Sequence, residues 1–200
     1  MVEKPHGALT AADYFATPEG ERWELIDGVL YRTSETPGTW HQEILGALSY
    51  QYHRQEKDWK LGTFWAGGHF AVVLSEQNVI EPDLMFVKLE HRHLFTDRAY
   101  EGTPDVLAEI LSPDFQPANT QRDWTVKPEL YARHGVPEYW IVSLQEETLR
   151  ALTDPVARNG AGHYGSEEIY RPGDTLTTNA IPGVSFDITE IFGDLWPPKA

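Results

Sequence analysis

Apolar residues recur along this chain with two different periods, and the alternation between them lays out the elements. Ile44, Leu45, Leu48 and Tyr52 repeat at three- and four-residue spacing, which predicts an amphipathic helix over residues 39–57 with Thr39 as its N-cap. A second helical pattern covers residues 119–134 and stops at Gly135, with Pro137 beyond it. Near the start, Thr10 is placed to cap a short helix running through Ala16, with Asp13 in its first turn. The other segments alternate with a period of two or are continuously apolar. ERWELIDGVLYRT reads as a β-hairpin turning at Asp27-Gly28. LGTFWAG and HFAVVLS read as the next two strands, with Gly67-Gly68 as the turn. DLMFV (83–87) and VLAEIL (106–111) are short, apolar and bounded by proline, the pattern of strands covered on both faces. EYWIVSL (138–144) is a further central strand, while LRALT, GHYGSEEIY and VSFDI look peripheral. The expected fold is α/β, a mixed central sheet flanked by helices, with an N-terminal helix and β-hairpin, in one domain spanning residues 1–200.

Composition narrows the class. At 40% hydrophobic and 12% aromatic residues the chain is globular. It has no cysteine, which excludes disulfides and thiolate metal sites. No apolar run reaches the length of a membrane span and MVEKPHGALT lacks an apolar signal core, so a cytoplasmic protein with no membrane partner is expected. The net charge of −15 has the wrong sign for a general nucleic-acid binder. It suits either simple solubility or a carboxylate-rich site that recruits divalent cations.

One residue breaks the apolar pattern. In PDVLAEILSP, Glu109 stands between Ala108 and Ile110, where a core strand calls for an apolar side chain, and an unpartnered buried carboxylate is very costly. Asp83 of IEPDLMFV is a candidate partner if the two strands are neighbours. Two carboxylates brought together need a proton or a cation between them, and oxygen-only ligands suit Mg²⁺. The plainer alternative has Asp83 starting a strand and Glu109 meeting an arginine. His91-Arg92-His93 has metal-binding spacing, but its charged neighbours Lys88 and Glu90 indicate a solvated loop. Tyr131 and Trp140 read as core.

Pro82-Asp83 followed by Glu109 in an apolar strand resembles the PD-(D/E)XK nuclease superfamily. ERWELIDGVLYR, His41 at the start of the long helix, EPDLMFV, LAEILSP, Asp123-x-x-x-Lys127 and YARHGVPEYWIV together resemble its Uma-type endonuclease branch over roughly residues 10–192. The resemblance implies a restriction-endonuclease-like core and hydrolysis of DNA phosphodiester bonds. The metal, Mg²⁺ or Mn²⁺, would be held by Asp83 and Glu109 with the main-chain carbonyl of Ile110. Glu24 matches the superfamily's N-terminal acidic residue; in the hairpin it faces either the cleft or solvent. The superfamily lysine belongs two residues after the glutamate, and here that position is Leu111. The resemblance places the lysine on the following helix, as Lys127. Pro128 follows it directly, so a helix restart at Pro128 would leave Lys127 on a boundary. The connection DFQPANTQR is also longer than the family's usual one. His41 and Arg122 are candidate substrate contacts, and a symmetric dimer would suit double-strand cleavage. Two competing readings are a nuclease-fold module that binds a protein or nucleic acid without cleaving it, and a hydrolase of small phosphoesters.

Overall fold

The computed structural model describes residues 7–33, 38–58, 60–67, 70–111 and 122–193. Helix α1 (Ala11–Phe15) is followed by the hairpin β1 (Trp23–Ile26) and β2 (Val29–Arg32), which turns at Asp27-Gly28 as the sequence indicates. Helix α2 (Thr39–Gln55) begins one residue earlier than expected, because Gly38 and not Thr39 occupies the N-cap. Its buried stripe is Ile44, Leu45, Leu48 and Tyr52, the residues that carry the helical period.

Strands β3 (Gly62–Ala66), β4 (Ala71–Ser75), β5 (Asn78–Ile80) and β6 (Leu84–Lys88) come next. A 3₁₀ segment (Leu89–Leu94) carries His91-Arg92-His93 on its surface, and β7 (Ala99–Tyr100) and β8 (Val106–Leu111) follow. The expected turn between β3 and β4 is not a hairpin. β3 pairs with β6 and β4 pairs with β5, so the two strands lie in different sheets. Gly68 and His69 lie outside the described residues, as does DFQPANTQR as far as Gln121.

From Arg122 the chain makes a π-helical turn (Arg122–Val126) that runs directly into α3 (Lys127–Arg133). Val126 is right-handed helical, so the helix does not restart at Pro128. Proline is accepted there because it lies in the first turn of α3, where a missing N–H costs little. Gly135 follows with φ +73°, the left-handed conformation that lets the chain leave the helix. The remaining elements are β9 (Glu138–Ser143), β10 (Thr148–Arg158), β11 (Ala161–Tyr170), β12 (Thr175–Thr177), β13 (Ser185–Asp187) and α4 (Ile188–Phe192).

A six-stranded sheet runs β11-β10-β9-β8-β6-β3, with β8 and β9 parallel and the other pairs antiparallel. A five-stranded sheet runs β2-β1-β5-β4-β7. Three apolar cores separate the layers. One joins the six-stranded sheet to α2, β13 and α4 through Trp140, Phe86, Tyr52 and Phe186. The second lies between the sheets, where Ile26, Val72 and Ile80 meet Met85, Leu107, Tyr139 and Ile141, with Leu130 and Tyr131 of α3 closing one end. The third packs α1 on the outer face of the five-stranded sheet. β10, whose LRALT run looks peripheral in sequence, is an inner strand that buries Leu149 and Ala151.

The candidate active site

Strand pleat decides which side chains enter the space between the sheets. Met85 and Leu107 point into the inter-sheet core, whereas Leu84, Ala108 and Ile110 point to the other face. Alternation therefore puts Asp83 and Glu109 on the inter-sheet side. The ladder between β6 and β8 ends at Leu84 and Ala108, and Asp83 and Glu109, one step beyond, are close enough to interact electrostatically. In β1, Ile26 belongs to the inter-sheet core and Leu25 to the outer one, which turns Glu24 toward the same space.

The helix that follows β8 completes the group. Lys127 Nζ lies 2.8 Å from Glu109 Oε1, 3.0 Å from Glu24 Oε1 and 3.1 Å from Asp123 Oδ1. The contact to Glu24 is electrostatic and not a directed hydrogen bond. Tyr131 donates its hydroxyl to Glu109 Oε1 at 3.1 Å. Asp83 is held separately: its Oδ2 accepts from Ile110 N–H at 2.8 Å and lies 2.9 Å from His41 Nε2. Arg122 Nη1 is 3.4 Å from Glu24 Oε2. All the sequence-predicted residues thus gather in one region. His41 is buried and directed at Asp83, Arg122 is directed at Glu24, and Ile110 contributes its N–H to Asp83.

Asp123 and Tyr131 are members that the sequence does not assign to the site: Asp123 enters only through the motif Asp123-x-x-x-Lys127, and Tyr131 reads as core. Their signal is spacing: Asp123, Lys127 and Tyr131 follow each other at four-residue steps, which on a helix is one face. Side-chain exposures of 2% for Glu24, 5% for Lys127 and 6% for Glu109 contrast with 16% for Asp83 and 18% for Asp123, so the site opens at the aspartates.

Burial and charge set the ionisation. Burial pushes the Glu109 carboxyl well above its usual range; Lys127 opposes this, while Asp123, Asp83 and Glu24 add to it. Asp123 is raised by the same burial, against the pull of Lys127. For Lys127, burial disfavours the ammonium, but Asp123, Glu109 and Glu24 outweigh it and hold the pKa well above 10.5. Burial would also raise Asp83, yet His41 and the Ile110 N–H prevail and hold it below its ordinary 3.8. Burial keeps the Tyr131 phenol protonated, so it stays a donor to Glu109.

Whether these residues suit a metal follows from their donor chemistry. Among the described residues no three acidic or imidazole side chains are grouped so as to hold an ion; three carboxylates gather on the Lys127 ammonium instead. Asp83 and Glu109 nevertheless offer oxygen-only ligands. Four carboxylates here face two permanent cations, Lys127 and Arg122. Mg²⁺ needs only one or two carboxylates, with water and phosphate supplying the rest. The pair fits a hard divalent cation.

The mixed sheet flanked by helices, with Asp83 before β6, Glu109 in β8 and Lys127 brought against them from α3, has the architecture of a restriction-endonuclease-like core. The chain belongs to the Uma2 family, described as "Putative restriction endonuclease", whose pattern matches residues 11–189. Among solved structures the fold is similar to one from Anabaena variabilis described as "a putative nuclease belonging to DUF820". That likeness has a TM-score of 0.71 at 15% identity and covers 92% of this chain and 97% of that one. No curated protein matches the chain. Among the described residues, no helix is long and apolar enough to cross a membrane.

Proposed function

We propose that this protein is a metal-dependent deoxyribonuclease, with Asp83, Glu109, Lys127 and Glu24 as its working residues. The observation that carries this reading is the placement of Lys127. Leu111 stands where the superfamily lysine belongs, and the ammonium from α3 reaches Glu109 instead, at 2.8 Å.

Asp83 and Glu109, with the carbonyl of Ile110, would hold Mg²⁺ or Mn²⁺. When bound, the ion supplies Lewis-acid polarisation of the phosphoryl oxygen and a more acidic attacking water. The chain's own groups do the rest. His41 and the Ile110 N–H fix one oxygen of Asp83, and Tyr131 fixes Glu109. Lys127 offers positive charge to the phosphate as negative charge develops on it, in a site largely closed to water where such an interaction is strong. Glu24 and Asp123 keep Lys127 protonated and aimed. Hydrolysis adds water across the ester: a new P–O bond forms from the water oxygen, the bond to the sugar oxygen breaks, and that oxygen leaves as a hydroxyl.

The convergence of three carboxylates on Lys127 also favours a second reading, a nuclease-fold module that binds a partner without cleaving. Incubating plasmid and single-stranded DNA with the protein in Mg²⁺ or Mn²⁺, beside an Asp83→Ala control, separates the two. Cleavage that disappears in the control supports the nuclease; no cleavage of either DNA supports the module. A symmetric dimer would serve double-strand cutting, and sedimentation of the protein with and without DNA tests for it.

A further inference from the structure

Beside the carboxylates stand aromatic rings that the fold leaves exposed. Tyr31 is the ladder partner of Glu24 and so shares its face of the five-stranded sheet, on the edge strand β2. Its side chain is 36% exposed. The Arg122 guanidinium lies over its ring, 4.7 Å from the centroid, while also pairing with Glu24. Across the site, Trp65 is the ladder partner of Met85, which puts it on the same face of the six-stranded sheet as Asp83 and Glu109. It is 40% exposed, and its ring lies 4.6 Å from that of Phe70. Each sheet thus contributes one buttressed, half-exposed ring beside its acidic residues.

These rings bear on how an acidic protein grips DNA. A net charge of −15 gives little long-range attraction for phosphates. Stacking on an aromatic ring needs no net charge and accepts every base, but only when the base is unpaired and its face is free. We propose that Tyr31, backed by Arg122, and Trp65 form a base-stacking rim, and that the substrate is DNA with unpaired bases at the scissile bond: a single strand, a flap or an overhang. This rests on the nuclease reading and narrows its substrate class.

The test is fluorescence anisotropy with labelled single-stranded, duplex and overhang oligonucleotides, with Ca²⁺ present in place of Mg²⁺, alongside cleavage assays in Mg²⁺. The expected result is that single-stranded and overhang DNA bind roughly tenfold or more tighter than blunt duplex, and that Tyr31→Ala loses roughly tenfold on those substrates. Tyr31→Phe keeps the affinity and Tyr31→Leu does not. A strand carrying abasic sites binds the wild type at least as weakly as the normal strand binds Tyr31→Ala, and Tyr31→Ala loses no further affinity for the Tyr31 contact on that strand, a discrimination that a purely structural role for Tyr31 would not produce. Thermal melting confirms that the variants are folded. If the wild type cleaves duplex DNA and Tyr31→Ala leaves the preference between substrates unchanged, the rim is refuted and the nuclease stands. If no DNA is bound or cut by any form, the nuclease reading fails and the rim with it.

Discussion

The ammonium of Lys127 lies 2.8 Å from a carboxylate oxygen of Glu109, a residue on the strand that precedes its helix. On the proposed nuclease reading, this lysine from α3 stands in for the one that residue 111 lacks. Leu111 itself takes part in the inter-sheet core. Replacing Lys127 by Met removes the cation that Glu109, Glu24 and Asp123 share, leaving Glu24 with Arg122. Breaking a buried pair in this way costs about 3–5 kcal/mol, which chemical denaturation at neutral pH will register. Adding Glu109→Gln to Lys127→Met removes one stranded charge and is expected to recover part of that loss.

The same contact has a pH signature. The folded-state pKa of Lys127 is raised above 10.5. Its stabilising contribution is therefore complete below pH 10.5 and is lost as the pH climbs from there toward the raised value, because the unfolded chain gives up the proton first. Denaturation midpoints of wild type and Lys127→Met, compared across the alkaline range, should converge above pH 10.5 and stay apart below it.

His41 supports Asp83 from behind, its Nε2 2.9 Å from the carboxylate. Substitution by Ala leaves that oxygen of Asp83 held by the Ile110 N–H alone, and loss of such a supporting partner weakens cation binding by roughly 10–100-fold. A Mg²⁺ titration of cleavage should shift to higher concentration by that factor while the rate at saturation changes much less.

A distant glycine reaches the site through α3. A Cβ on Gly162 of β11 would meet the backbone of the helix, 2.2 Å from Arg133 N and 2.4 Å from Glu129 O. Gly162→Ala must therefore push the helix off the sheet, and overpacking of this kind costs roughly 1–3 kcal/mol. Since Lys127 opens that helix, cleavage should fall by more than the lost stability explains, measured at a temperature where the variant is fully folded.

Local pattern reveals the elements here better than their assembly. The Asp27-Gly28 hairpin, the α2 stripe, and the apolar strands holding Asp83 and Glu109 were legible because each is encoded by neighbouring residues. That β3 and β4 belong to different sheets was not, since the partners β6 and β5 lie further along the chain and adjacency suggested a turn at Gly67-Gly68. β10 looked peripheral because its inner half buries only small or alternate residues such as Leu149 and Ala151. Glu24, Asp83, Glu109 and Lys127 were all named from sequence. Their convergence was not legible, because it depends on a π-helical turn running into α3 without a break at Pro128. Tyr131 read as core since its ring is buried; only the four-residue step from Lys127 marked its hydroxyl as belonging to the site.

The most direct test of the central claim is the single-turnover rate of DNA cleavage by Lys127→Met against wild type, at saturating Mg²⁺ and with folding verified. A lysine that stabilises developing charge on the phosphate predicts a loss of at least ~10²-fold in rate with cation binding retained. An unchanged rate in the folded variant would contradict the assignment of Lys127 to catalysis.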